Sequence, residues 1–211
     1  MSTIELPLNG FVDYLRTRGA ARVTVANRHI AQSGEPYSPA RDFYRRILSA
    51  ILAARRSGDD QAVLRHAIAE APASRRGNYQ AVVDGWLKFL PQLKNTTLVK
   101  VGTGRWYGDG LTVKVTPHLA VQHTDGRVET VFLYFKADPL SRKDAEAMLW
   151  LAAAAMPGAC PGADPVILDV RRGKAHRRVP ESAEYPAWLS AEAGAYHHLR
   201  HQLVRAVEAR P

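Results

Sequence analysis

The sequence has 211 residues, enough to bury a core without disulfides. Its single cysteine cannot form an internal disulfide, which predicts a cytoplasmic protein. It begins with no secretory signal pattern, and its longest apolar run, Ala147 to Met156, is too short to cross a bilayer, so we expect no membrane partner. Lysine and arginine total 29 against 20 acidic residues, a net charge of +9 that favours DNA or RNA as a partner, although a solvated basic surface without any ligand has the same composition.

The first half of the chain is predicted to be almost wholly helical. Its clearest helix runs from Ala40 to Arg56, where Phe43, Ile47 and Ile51 recur at helical spacing and Gly58 supplies a stop signal. Further helices are expected at residues 11–18, 60–71 and 77–93.

The second half alternates apolar and polar residues in the manner of strands. Strands are expected at residues 96–101, 111–116, 128–135 and 166–170, and another leads into the hairpin turn Thr124-Asp125-Gly126. A glycine-dense turn is expected at 102–110 and helices at 141–156 and 190–209. The sequence thus predicts an α+β fold, with a helical N-terminal region at 1–94 and a mixed-sheet α/β core at 95–211 that ends in a C-terminal helix. We expect the two regions to form one compact unit.

From residue 77 to 178 the predicted order is helix, three strands, helix and strand, with two short motifs on the strands. This order resembles the core of the PD-(D/E)XK nucleases, the restriction-endonuclease-like superfamily. The resemblance implies a metal site built from an Asp on the second strand and an acid-x-Lys triplet on the third. Thr116-Pro117-His118 is similar to the first motif, with His118 in the place of the acid, and Tyr134-Phe135-Lys136 is similar to the second, with Tyr134 in the place of the acid. Lys136 is the residue that matches.

The replaced acids bear directly on activity. Mg²⁺ prefers hard, anionic oxygen ligands, which His118 and Tyr134 do not supply. We therefore expect a nucleic-acid-binding or accessory protein on a diverged, inactive nuclease core, with no bound metal or cofactor. One alternative is an active Mg²⁺-dependent nuclease that uses Lys136 with carboxylates displaced to Asp109 or Asp138. Another alternative is a protein-interaction domain with no role on nucleic acid. No pattern in the sequence indicates an oligomeric state.

The position of Lys136 on its strand gives a further expectation. With a period of two residues, Lys136 shares a face of the strand with Phe132 and Tyr134. An inward lysine among aromatic rings is costly without a partner. Either the strand bends at its end or this face lines a cleft, and we favour the cleft.

A basic stretch follows the last predicted strand and turns at Gly173. Guanidinium groups bind phosphate through paired donors, so these residues are candidates for contacts to a nucleic-acid backbone, although charged residues at a sheet edge also serve to prevent aggregation. The candidates in this stretch are Arg171, Arg172, Lys174, Arg177 and Arg178. Helical arginines that are candidates for the same surface are Arg45, Arg46, Arg55 and Arg56.

The C-terminal helix carries His197 and His201 four residues apart, a spacing that would let both reach one metal ion. No cysteine or acidic motif completes a ligand set around them. The pattern is more typical of a solvated helix face than of a zinc site.

Overall fold

The computed structural model describes residues 4–33 and 43–209, which form an α+β fold with two mixed sheets. The helices are α1 (Leu8–Arg16), α2 (Ala21–Ser33), α3 (Arg45–Ser57), α4 (Asp60–Ala69), α5 (Ala73–Phe89), α6 (Arg142–Ala159) and α7 (Glu184–Glu208), with a short 3-10 helix at Leu90–Leu93. The strands are β1 (Ile4–Pro7), β2 (Thr97–Val99), β3 (Gly104–Tyr107), β4 (Leu111–Val115), β5 (Leu119–Gln122), β6 (Val128–Tyr134), β7 (Asp164–Asp169) and β8 (Lys174–His176). The predicted fold class is confirmed.

The larger sheet has five strands in the order β2-β5-β6-β7-β8. Its neighbours are antiparallel except β6 and β7, which run parallel because α6 carries the chain back between them. The long β-rich run that ends at Tyr134 lies in the centre of this sheet, where every residue from Glu129 onward is buried.

The smaller sheet has the order β1-β4-β3 and contains two strands that the sequence did not predict. β1 runs parallel to β4, with Leu6 opposite Val113. β3 occupies part of the stretch expected to be a glycine-dense turn. Gly104 explains this strand, because a Cβ there would lie 2.0 Å from the Ala155 carbonyl oxygen of α6. The glycine lets the strand pass directly against the helix backbone.

Several predicted helix boundaries need correction. α2 was not predicted, and its weak apolar pattern is the reason, since only Ala26 and His29 are buried on it. α7 begins at Glu184 instead of Ser190 because Pro186 falls in its first turn, where proline needs no hydrogen-bond partner. The predicted start of the helix at 40–56 includes residues 40–42, which lie outside the described residues.

The five-stranded sheet separates two buried clusters. On one face α3, α4 and α5 cover it, with Trp86 and Phe89 completely buried. On the other face α6 lies between the two sheets and uses small residues such as Ala145 and Ala152 to approach them closely. α1, α2 and α7 complete this second cluster. Residues 4–33 therefore share a core with elements that follow residue 100.

Among the described helices, none combines the length and the apolar character needed to cross a bilayer.

Candidate functional site

The carboxyl ends of the two parallel strands, β6 and β7, lie next to each other on the same side of the larger sheet, where its loops begin. Tyr134, the last residue of β6, lies opposite Asp169, the last residue of β7. Residues 134–138 and 169–172 therefore stand side by side, and we call them the β6 edge. In sheets with parallel strands this position is a common place for functional side chains, because loops gather there.

Lys136 extends from the β6 edge into a cleft of about 580 Å³ that β1, α1 and α2 enclose. Lys136 follows β6 by two residues and lines this cleft, which agrees with the cleft that we favour, while its face on the strand stays a prediction. Its ammonium group forms an ion pair with Asp13 of α1. That partner removes the cost of an inward lysine.

Asp13 is the carboxylate of this cleft that sequence reasoning missed. Besides Lys136, it accepts a hydrogen bond from Arg28 of α2 at 3.5 Å. Asn9 lies one turn earlier on α1 and lines the same cleft. The only sequence signal was a polar residue between the buried Val12 and Tyr14, which does not indicate a partner 123 residues away.

The charges in the cleft do not cancel. Lys136 and Arg28 share the single carboxylate of Asp13, while Glu5, also in the cleft, is paired with Arg105 at 2.8 Å. Arg28 and Lys136 are about half exposed, at 53% and 42%. The cleft therefore offers two accessible cations and a surplus of positive charge to an anion.

Tyr134, which stands where the resemblance expects an acid, is a buried structural phenol. Its hydroxyl accepts a hydrogen bond from Arg16. Burial raises its pKa above the usual value of 10.0, with Arg16 opposing the shift, so the hydroxyl stays protonated at neutral pH. Arg16 also pairs with Asp144 at 3.1 Å, which fixes this guanidinium at the end of β6.

His118, in the place of the other expected acid, joins β5 to β6. The backbone N–H of Leu133 donates to the ring nitrogen Nδ1 of His118 at 2.9 Å. The backbone N–H of His118 donates to the Val131 carbonyl at 3.0 Å. Since Nδ1 accepts, the neutral ring carries its proton on Nε2. His118 also lines a recess of about 270 Å³ that shares Pro7 and Asn9 with the Lys136 cleft, so the two motif positions face neighbouring cavities.

The carboxylates proposed for a displaced metal site are dispersed. Asp138 is exposed in the loop after Lys136. Asp109 lies in the turn between β3 and β4, where it packs beside Gly194 of α7. Asp169 is buried and accepts hydrogen bonds from Arg172 and the Leu140 N–H. Within residues 4–33 and 43–209, no group of three or more His, Cys, Asp or Glu residues is arranged to hold a metal ion.

Glu129 occupies the opposite end of β6 and has a structural role. It is 2% exposed, and its carboxylate is within 3.1 Å of Arg127, Arg177 and His123. Burial alone would raise the pKa of Glu129, but the cations, with Arg177 first among them, hold it below the usual 4.5.

The basic stretch after β7 is divided between two edges of the sheet. Arg172 donates to Asp169 and to the Ala137 carbonyl, and Arg171 donates to Asn78 of α5, so both lie at the β6 edge. β8 then runs antiparallel to β7. Arg177 consequently reaches Glu129 at the far end of β6. Lys174 and Arg178 are exposed along this return path.

The helical arginines are divided in the same way. Tyr44, just before α3, stacks on Phe135 with ring centroids 4.8 Å apart, which places Arg45 near the β6 edge. Arg55 pairs with Asp60 at 3.2 Å, and with Arg56 it lies about 15 Å further along the helix. Arg46 bonds the Glu70 carbonyl oxygen.

The α7 histidines do not form a metal centre with a third ligand among the described residues. The rings of His197 and His201 are 6.4 Å apart, and His197 packs against Gly110.

Comparison with known proteins adds no relationship to this geometry. No protein-family model matches the sequence, and no curated protein is significantly similar to it. The β6 edge is therefore interpreted from its own residues.

Proposed function

We propose that this protein binds nucleic acid through phosphate contacts at the β6 edge and does not hydrolyse it. The observation that carries the proposal is the convergence of Lys136 and Arg28 on one carboxylate in an open cleft. Arg16 and Arg172 add two guanidinium groups at the β6 edge through their hydrogen bonds to the Tyr134 hydroxyl and the Ala137 carbonyl.

The pairing with Asp13 prepares the cleft for an anion. Asp13 orients both Lys136 and Arg28 but neutralises only one of them, so a phosphodiester can add the second negative charge without displacing the carboxylate. Ammonium and guanidinium groups form their strongest hydrogen bonds with such oxygens. Contacts of this kind need positive charge and little recognition of the bases. They therefore fit the Lys136 cleft, which has no aromatic pocket of its own for a base.

The sheet supports a relationship to a diverged PD-(D/E)XK core. The strand expected at 111–116 is β4 of the smaller sheet, so β5 takes its place in the larger sheet. With that change the order α5, β2, β5, β6, α6 and β7 follows the expected helix, three strands, helix and strand. At the two acid positions, His118 and Tyr134 have structural hydrogen bonds. Binding without cleavage is the function we infer from that combination.

Titration of a fluorescent DNA and its RNA equivalent at low salt tests the proposal, with Lys136→Ala as the variant. Arg56→Ala is the matched control, since Arg56 is an exposed cation about 15 Å from the N-terminus of α3. We expect binding by the wild type, a loss of about 5- to 10-fold in Lys136→Ala, which corresponds to about 1–1.4 kcal/mol for one half-exposed hydrogen bond, and little change in the control.

Two results would overturn the proposal. An absence of binding to either polymer at low salt would leave the protein-interaction alternative. Mg²⁺-dependent cleavage that disappears in Asp13→Asn would favour the nuclease alternative, with Asp13 as a displaced carboxylate.

A further inference from the structure

A large cavity lies beside the β6 edge and is not part of the Lys136 cleft. It has a volume of about 720 Å³ and lies between the end of α1, the start of α6 and the start of α7. Such a volume is within the usual range for sites that hold a ligand of nucleotide size. Arg16 lines this cavity and also bonds Tyr134, so the cavity and the β6 edge are adjacent.

An exposed indole forms part of the cavity wall. Trp188 is 40% exposed, and Tyr185 meets it edge to face with ring centroids 5.5 Å apart. The Tyr185 hydroxyl donates to Glu146, which holds this ring in place. Two partly restrained aromatic rings with an open face are suited to stack against another flat ring.

The charges around the rings favour an anionic ligand. Arg18 and Lys143 line the cavity and are exposed, and neither forms an ion pair within residues 4–33 and 43–209. Asp144 and Glu146 are already neutralised by Arg16 and by Arg142, at 3.1 and 2.7 Å. Among the described residues of the wall Glu184 is the one remaining acid, so one positive charge is left over when Arg142, which pairs with Glu146 from outside the wall, is counted.

We propose that this cavity takes an unpaired base of a single-stranded nucleic acid, with the base stacked on Trp188 and the adjoining phosphate held by Arg18 and Lys143. The inference rests on the proposed function and names its substrate class. Bases in a duplex are stacked on each other, so a partly recessed indole can reach only a base that is unpaired. A strand whose phosphate lies at the β6 edge can place a neighbouring nucleotide in this cavity, because Arg16 connects the two.

The test compares a fluorescent single strand of about 12 nucleotides, a length within the site sizes of single-strand binders, with the duplex of the same sequence. The variants are Trp188→Ala, which removes the stacking surface, and Trp188→Phe, which keeps a ring. Tyr107→Ala is the matched control, since Tyr107 is a 72% exposed aromatic on β3, outside the cavity. Thermal unfolding of each variant verifies that the fold is intact.

We expect the wild type to prefer the single strand. Trp188→Ala should weaken single-strand binding by about 5- to 100-fold, as for loss of one stacked base, with partial recovery in Trp188→Phe and no change in Tyr107→Ala. Duplex binding should be the same in all variants. Equal affinity for both forms, or single-strand binding unaffected by Trp188→Ala, overturns this inference and leaves the proposed function standing. Failure to bind either form would instead overturn the proposed function.

Discussion

Gly85 provides a quantitative test of how α5 packs on the larger sheet. A Cβ at this position would lie 1.8 Å from the Val170 carbonyl oxygen and 2.7 Å from the Arg171 carbonyl carbon. These atoms follow directly after β7 and belong to the backbone of the β6 edge. A Gly85→Ala substitution therefore forces either the helix or the edge to move.

The magnitude follows from two opposing effects. An ordinary carbon–oxygen contact is about 3.3 Å, so the elements must separate by about 1.5 Å. Alanine gains up to about 1 kcal/mol over glycine inside a helix, whereas overpacking costs about 1–3 kcal/mol. Because the obstructing atom is backbone and cannot rotate away, the upper cost applies. We expect a net loss of about 2 kcal/mol in the free energy of unfolding.

Urea unfolding followed by circular dichroism measures this loss, and Gly77→Ala on the same helix is its control. A Cβ on Gly77 meets no atom within 4 Å, so that variant should be about 0.5–1 kcal/mol more stable than the wild type. If Gly85→Ala were as stable as Gly77→Ala, the direct backbone packing of α5 on the end of β7 would be refuted.

Three further predictions concern charged groups. Glu129→Gln should lower the free energy of unfolding by about 2 kcal/mol in urea titrations. This loss is smaller than for a fully buried ion pair because Arg177, the partner of Glu129, is 38% exposed. Burial lowers the pKa of His29 below 6.5, so the folded state binds fewer protons than the unfolded state and the free energy of unfolding should fall as the pH drops below 6.5. In urea titrations over a pH series, His29→Asn should make that fall smaller. Asp13→Asn should tighten nucleic-acid binding several-fold in anisotropy titrations, because the cleft gains one net positive charge while the amide oxygen of the new side chain can still orient Lys136 and Arg28; weaker binding would contradict the proposed cleft.

Most elements of the larger sheet could be predicted because their patterns are local, whereas the three-residue β8 was not among the expected strands. β6 is a long β-rich run, and α6 begins at a Ser141 cap that accepts from the Asp144 N–H, as capping patterns indicate. β1 could not be predicted in the same way. It is four residues long and becomes a strand only by pairing with β4 more than 100 residues later.

The candidate site was predictable only in part for the same reason. The period of β6 places Lys136 on a defined face, but its partner Asp13 comes from a separate helix and is brought in by tertiary packing. The basic stretch forms one cluster in the sequence. The antiparallel return of β8 separates Arg172 from Arg177 in space, which no sequence spacing indicates.

The salt dependence of nucleic-acid binding tests the central claim most directly. Each phosphate contact releases counterions, so the slope of log Kd against log salt reports how many contacts are made. For the double variant Lys136→Ala/Arg172→Ala we predict a slope smaller than that of the wild type by about 2, one for each lost contact. Arg56→Ala should keep the wild-type slope. If the double variant kept the wild-type slope and affinity, the β6 edge would not be the phosphate-binding surface.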